Sequence, residues 1–355
     1  MEVSISMKVV YFQRLPNSSI HNSMERVFAS IRSALTGAEV EVNICPFESR
    51  GVFKRLYNLV DAALRQGDVT HITGDVHYLA LLLRKNRTVL TVHDCGSMLR
   101  LRGVRRLLFQ WIWLELPVRR CSLVAVISEH TKREVLRYTS CPEEKIRVVS
   151  DPVGDEFRPV PRTFNAGEPR ILQMGTAKNK NLDRLTDALA GIRCKLDIVG
   201  PLSLDARRRL EHSGIDHESA AGLSDEDVAA KYRGADLVVF CSTYEGFGMP
   251  IIEAQAVGRP VVASNIEPML DVAGGAACLV NPYDAGSMRK GILRVIEEPA
   301  YREELVRRGF DNVKRFSPEE IGRRYVRLYQ EVMRSGHGAV AGDQAAVDAG
   351  THGRQ

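Results

Sequence analysis

The chain reads as an α/β protein built from two doubly wound parallel-sheet halves in tandem. Three observations predict this. Short apolar runs such as Val9-Val10-Tyr11-Phe12 and Leu237-Val238-Val239-Phe240 suit strands buried on both faces. Amphipathic stretches of helical period lie between such runs. The alternation breaks at residues 151–161, where Pro152, Gly154, Pro159 and Pro161 mark a linker, and then begins again. The expected division is 1–160 for the first domain, 161–335 for the second, and a disordered tail over 336–355, where Gly, Ala and polar residues prevail.

A length of 355 residues suits two domains of ordinary size. The formal net charge of +5 fits an anionic substrate or an acidic membrane surface. It lacks the clustered basicity of a nucleic-acid binder, so no nucleic-acid partner is expected. The seven cysteines are scattered and form no C-x-x-C pair, which points to a reducing compartment without disulfides or a thiolate metal site. No apolar run has the length of a signal h-region or a spanning helix, so a cytoplasmic protein is expected.

In the first half, strands are expected at 8–12, 40–44, 69–73, 88–92, 122–127 and 146–149. Helices are expected near 20–35, 53–65, 78–83 and 128–138. The first β–α loop, Pro16-Asn17-Ser18-Ser19, reads as a polar turn that caps the helix after it. His93-Asp94 follows a strand at its carboxyl end, where a histidine can bond a hydroxyl and an aspartate can orient it. Residues 99–114 join Arg100, Arg102, Arg105 and Arg106 to an apolar helix that ends at Leu114 and holds both tryptophans, Trp111 and Trp113. This composition fits a helix lying on an anionic bilayer. The competing reading is a helix buried against the sheet, because apolar residues run almost around it.

In the second half, strands are expected at 170–174, 195–199 and 237–240. The loop Gly175-Thr176-Ala177-Lys178-Asn179-Lys180-Asn181 combines a glycine that permits close backbone approach with lysines that can meet phosphate. Ser224 and Asp227 form a capping box for the helix after Leu223.

The most informative stretch runs from Leu237 to Ala254 as strand, loop and helix. Gly246 and Gly248 bracket Phe247, read as an exposed aromatic, and Pro250 stands where a first helical turn tolerates a missing N–H. Glu253 is expected in that first turn. Amides at a helix N-terminus favour an anion such as a diphosphate. Glu245 and Glu253, as ionised carboxylates, can accept bonds from sugar hydroxyls.

The run Glu245-Gly-Phe-Gly-Met-Pro-Ile-Ile-Glu253, followed by Gly258-Arg259-Pro260-Val261-Val262, resembles the E-x7-E signature of the retaining glycosyltransferase family 4. That resemblance implies the GT-B fold, with two Rossmann-like domains facing across a cleft and a final helix that crosses back to the first. Thr91-Val92-His93-Asp94 is similar to the family's H-D element on the acceptor side. The loop at 175–182 is similar to its G-T-x-x-x-x-K-N-L loop, though one residue shorter and with Asn179 where arginine is frequent.

The resemblance implies a retaining, metal-independent transfer of a hexose from a UDP- or GDP-sugar to a saccharide or lipid-linked saccharide, in surface polysaccharide or glycoconjugate synthesis. No cofactor and no metal are expected. The implied catalytic residues are His93, Asp94 and Glu245. The implied donor-binding residues are Gly175, Thr176, Lys178, Lys180, Leu223, Gly246, Phe247, Gly248, Met249 and Glu253, with Lys180 preferred at the diphosphate, Leu223 beside the base and Glu253 at the ribose. Rival readings are a non-catalytic scaffold of the same fold and a nucleotide-sugar epimerase. A nicotinamide-dependent dehydrogenase is disfavoured, because no G-x-G-x-x-G follows the first strand.

Overall fold

The computed structural model describes the backbone of residues 7–15 and 23–351, with side chains for 7–15 and 24–335. The first β–α loop, read from sequence at 16–19, lies outside the described residues. Two compact units are present, one formed by Met1–Ser150 with Glu319–Gln355 and the other by Asp151–Pro318.

The first unit holds a sheet of β1 (Met7–Gln13), β2 (Ala38–Ile44), β3 (Val69–Ile72), β4 (Thr88–Val92), β5 (Leu123–Val126) and β6 (Ile146–Val148). The strand order is β2-β1-β3-β4-β5-β6 and every pairing is parallel. Successive side chains alternate between faces, as the strand period requires. Val10, Phe12, Ile72 and Leu90 enter one apolar cluster. Val9, Tyr11, Val69 and Val89 enter the other.

The second of these clusters is closed by the final helix, Pro318–Thr351, which packs Ile321, Tyr325, Leu328, Tyr329 and Val332 onto it. Their spacing is that of one helical face. The Tyr329 hydroxyl lies 2.9 Å from the Tyr11 hydroxyl and 2.8 Å from Nδ1 of His71, whose Nε2 meets Thr91 Oγ1 at 2.7 Å. Burial, aided by nearby His93, pushes the His71 imidazole down to about 3, so the ring is neutral. The backbone of the final helix continues to Thr351, where the sequence suggests a tail. The alanines at 339, 341, 345, 346 and 349 supply helix propensity there without an apolar period.

The first face carries the helices Val52–Leu64, Gly103–Phe109 and Glu129–Tyr138. Gly103–Phe109 passes into a π-helical turn, Gln110–Glu115. In place of a helix at 78–83 there is a 3-10 turn, His77–Leu81.

The second unit holds β7 (Arg170–Met174), β8 (Lys195–Val199), β9 (Asp216–Ala220), β10 (Leu237–Phe240), β11 (Val261–Ser264) and β12 (Cys278–Val280). They are all parallel, in the order β12-β11-β10-β7-β8-β9. The proline-rich segment at 151–161, read from sequence as a linker ending the first domain, is tied into this second unit. Val160 N donates to Val257 O at 3.3 Å, and Arg259 Nη1 donates to Val160 O at 2.9 Å. Phe157 meets Tyr232 edge-on with ring centroids 5.3 Å apart. Arg162 forks onto buried Asp236, with Nε 2.7 Å from Oδ1 and Nη2 3.2 Å from Oδ2. Proline removes donors but leaves its carbonyls and rings to pack, so the segment is a strap on the second unit.

Candidate active site

The strand order of the second unit fixes where a ligand binds. From β7 the chain adds β8 and β9 on one side, then returns to place β10 on the other side of β7. The loops after β7 and β10 therefore diverge, and their carboxyl ends open the crevice that serves ligands in doubly wound sheets. The sequence singled out both of these loops.

They are joined side chain to side chain. Lys180 Nζ lies 2.7 Å from Glu245 Oε1, and Asn179 Nδ2 donates to Tyr244 O at 3.0 Å and to Glu245 Oε1 at 3.3 Å. Thr243 N donates back to Asn179 O at 2.8 Å. The Lys180 ammonium also stands over the Phe240 ring, 4.9 Å from its centroid. Gly175 takes φ +83°, and a Cβ there would come within 3.0 Å of Lys180 Cγ and Cε. The glycine thus makes room for the lysine stem as well as for the turn. Thr176 Oγ1 donates to Pro201 O at 2.6 Å. Lys178 is exposed in the turn that carries Lys180.

The helix after the β10 loop is Met249–Val257, with Pro250 in its first turn and Gly248 at φ +120° as its cap. Two sequence expectations are corrected here. Phe247 is buried, with its ring edge-on to Phe316 at 5.6 Å, because an aromatic between two glycines can turn inward to apolar company. Glu253 lies beyond the first turn, since the helix begins at Met249. It is buried and accepts a hydrogen bond from the Tyr232 hydroxyl. Burial and the facing carboxylate push the Tyr232 phenol well above its ordinary value, so it stays a donor. Leu223 follows β9, two strands from β7, and lines a groove with Asp227 and Lys231.

In the first unit the corresponding break in strand order lies between β1 and β3, since β2 and β3 flank β1. A cavity of about 160 Å³ at the carboxyl ends of β3 and β4 is lined by Asp75, His77, His93, Asp94 and Arg100, with Phe109 and Trp113 as apolar walls. His93 Nε2 donates to Thr73 O at 3.2 Å, which fixes the ring. Asp94 Oδ1 accepts from Gly96 N at 2.7 Å, which fixes its carboxylate. Asp75, His77 and Arg100 escaped assignment to this site from sequence. Asp75 Oδ1 accepts from Trp113 Nε1 at 2.7 Å and His77 Nδ1 donates to Trp113 O at 2.9 Å. Burial lowers the His77 pKa, so its ring is neutral. Trp113 thus aligns two polar groups from a loop about forty residues away in sequence, a juxtaposition that no local motif encodes. Among the described residues, no cluster of three or more His, Cys, Asp or Glu is placed to hold a metal ion.

The model described as "Glycosyltransferase Family 4" matches residues 24–157, and the model described as "Glycosyl transferases group 1" matches residues 155–311. The O-antigen chain mannosyltransferase B of Escherichia coli is 26% identical over 229 residues, covering 59% of this chain and 60% of that protein. The serotype-specific mannosyltransferase WbdA of Escherichia coli is 24% identical over 254 residues, covering 65% of this chain and 31% of its own length. The phosphatidyl-myo-inositol mannosyltransferase of Mycobacterium leprae is 30% identical over 188 residues, covering 48% of this chain and 50% of that protein. The matched regions therefore span from 31% to 60% of these relatives.

Among solved structures, Anabaena Alr3699/HepE in complex with UDP and glucose matches with a TM-score of 0.75 at 16% identity, covering 92% of this chain and 100% of that one. WaaG, a glycosyltransferase involved in lipopolysaccharide biosynthesis, matches with a TM-score of 0.67 at 12% identity, covering 90% and 99%. Similarity at such low identity speaks to the fold, which is GT-B. With one family model matched along each half and two six-stranded parallel sheets beneath them, the chain belongs to glycosyltransferase family 4.

Proposed function

We propose that this protein transfers a hexose, with mannose as first choice, from a UDP- or GDP-sugar to a hydroxyl of a saccharide acceptor, with retention of anomeric configuration and without a metal. The observation that supports the reading is the Lys180–Glu245 pair at the break in strand order, where a cation and a carboxylate stand 2.7 Å apart. The mannosyltransferase relatives support the choice of sugar.

The difficulty in such a transfer is the negative charge that grows on the leaving diphosphate. Lys180, with Lys178 beside it, and the amides at the start of Met249–Val257 would stabilise that charge. Glu245 would accept bonds from the sugar hydroxyls and Glu253 from the ribose. The acceptor hydroxyl would be held by His93, through Nδ1, and by Asp94. It attacks the face the diphosphate leaves, forming the new C–O bond as the old one breaks, and its proton passes to a donor phosphate oxygen. The saccharide, free or lipid-linked, would belong to surface polysaccharide or glycoconjugate synthesis.

The test is nucleotide release from a panel of UDP-, GDP- and ADP-sugars, with and without mannosylated acceptors. Turnover of a UDP- or GDP-hexose is expected. Absence of both binding and turnover for every donor would sink the reading and favour a scaffold.

A further inference from the structure

The second unit has a cavity at the end of its sheet opposite the loops that follow β7 and β10. It measures about 780 Å³ and lies where β10 and β11 begin, with Asp236 and Pro260 in its wall immediately before these strands. Ligand pockets usually enclose roughly 300–1,000 Å³, so the space suits a small organic molecule. Its other walls include the strap at residues 159–164 and one side of the helix Pro299–Val313. The sugar-transfer reading makes no use of it.

Positive charge and apolar surface are combined there. Arg162, Arg259, Arg302 and Arg307 line the cavity against two acids, Asp236 and Glu303. Arg162 is matched by Asp236 and Arg307 by Glu304. Arg259 and Arg302 instead meet carbonyls. Buried Arg259 donates from Nε to Tyr232 O at 3.2 Å, from Nη1 to Val160 O at 2.9 Å and from Nη2 to Arg233 O at 2.8 Å. Arg302 Nη1 donates to Val295 O at 2.8 Å, and its Cζ stands over the Phe164 ring, 3.9 Å from the centroid. A carbonyl satisfies an N–H but leaves the positive charge unneutralised, which burial makes costly. Burial, with Arg162 nearby, brings the Arg259 guanidinium down to about 10, and burial lowers Arg302 as well.

The cavity is also tied to the Glu245 loop. Asp236 leads into β10 and Gly258 ends the helix Met249–Val257, so the strand and the helix that flank this loop both have their far ends in the cavity wall. That helix has nine residues and is about 13 Å long. Its last carbonyl, Val257 O, accepts from Val160 N and from Arg259 Nη1, each at 3.3 Å, which joins strap, helix end and cavity. Gly258 takes φ +80°, and a Cβ there would meet Phe310 Cζ at 2.6 Å, so the helix end is also in close contact with an aromatic wall. We infer that this cavity binds a small anion with an apolar body, of the class of aryl phosphates and aryl sulfonates, and that its occupancy is transmitted to the loop that carries Glu245. The head would supply a counter-charge to Arg259 and Arg302, and the body would rest on Phe164, Val306 and Phe310. Holding strap and Arg259 together steadies the end of the helix, and a rigid helix carries the change to its first turn. The site does not depend on the sugar-transfer reading.

The experiment uses the full chain and two probes, 8-anilinonaphthalene-1-sulfonate and its uncharged counterpart N-phenyl-1-naphthylamine. Fluorescence titration of the wild type should show a saturable component for the sulfonate. Val306→Trp, which fills the space, and Arg307→Glu, which reverses a charge at its rim, should each weaken that component about tenfold, and the uncharged probe should bind about tenfold more weakly than the sulfonate. Probe held by apolar surfaces elsewhere is common to all three proteins. Arg307 is exposed, so its variant keeps the test open should Val306→Trp unfold the unit, which circular dichroism reads. Hydrogen exchange at residues 245–257 should slow about fivefold with the sulfonate bound to the wild type, and stay unchanged in Arg307→Glu at the same probe concentration. This readout needs no donor, so failure of the sugar-transfer reading leaves it intact. Sedimentation velocity gives the oligomeric state. Four results would overturn the proposal: no sulfonate component that either variant weakens, equal affinity for the uncharged probe, exchange at 245–257 that the sulfonate leaves unaltered, or a wild-type dimer that Arg307→Glu converts to a monomer.

Discussion

Lys180 and Glu245 are 65 positions apart, yet Nζ of one lies 2.7 Å from Oε1 of the other, joining the loops that follow β7 and β10. Each is partly shielded from solvent, with side-chain exposures of 22% and 15%. The cation proposed for the diphosphate and the carboxylate proposed for the sugar hydroxyls thus hold each other in place.

Removing the lysine should therefore cost more than a charge. Lys180→Ala is expected to lower turnover by roughly a hundredfold or more, the scale of losing one group that stabilises charge in the transition state. Lys180→Arg should retain part of the rate. Nucleotide release under saturating donor measures both, and an Ala variant with wild-type turnover would remove Lys180 from the mechanism.

Glu253 is reached through Tyr232. Tyr232→Phe deletes the hydroxyl that donates to the carboxylate without emptying the core, whereas Glu253→Ala deletes the carboxylate itself. A hydrogen bond to a charged group contributes about 1.5–3 kcal/mol, so donor affinity should fall about tenfold or more in Glu253→Ala. Tyr232→Phe should give a smaller loss. Titration calorimetry with UDP and GDP reads both. Unchanged nucleotide affinity in Glu253→Ala would contradict the ribose assignment.

Gly175 and Gly191 separate strain from contact. Both have positive φ, +83° and +74°, but a Cβ at 175 would meet Lys180 at 3.0 Å while one at 191 meets nothing within 4 Å. Alanine at either position should cost about 1 kcal/mol of stability from left-handed backbone strain. Only Gly175→Ala should also reduce turnover, by displacing the lysine. Urea unfolding and nucleotide release, measured together, distinguish the two.

His71 sets an acid limit on the first unit. Its folded pKa is about 3 against 6.5 unfolded, so between those values the unfolded state binds the proton and the folded state does not. Stability from this group is complete above the unfolded value and is lost as pH falls toward the folded one, at up to about 1.4 kcal/mol per pH unit. Urea unfolding of the wild type and His71→Gln at pH 7.5, 6 and 5 should show a shallower acid loss in the variant, although it is less stable at pH 7.5. Parallel pH profiles would refute the assignment.

Much of the architecture was legible because parallel strands buried on both faces advertise themselves as apolar runs, as at 237–240. Lys180 and Glu245 were legible because each sits in a loop of recognisable composition. The Tyr232 bond to Glu253 was not, since it depends on a helix packing 21 positions away. The orientation of Val52–Leu64 was hidden for another reason. Periodicity reveals an apolar face but not which side the sheet will take, and here the sheet takes the side with Asn58 and Ala62. The Phe247 expectation failed because flanking glycines specify backbone freedom and not side-chain direction.

The return of the final helix makes the first unit discontinuous, with Ile321 to Val332 covering the face that bears Tyr11 and His71. On a ribosome that face lacks this part of its cover until the whole of Asp151–Pro318 has been synthesised. The second unit is uninterrupted, and its ends meet where Val153 N donates to Phe316 O at 2.9 Å. It has the topology of an inserted domain that can mature first, while the chain preceding it awaits its last helix. A fragment cut at 150 should therefore aggregate, and one spanning 151–318 should fold by itself.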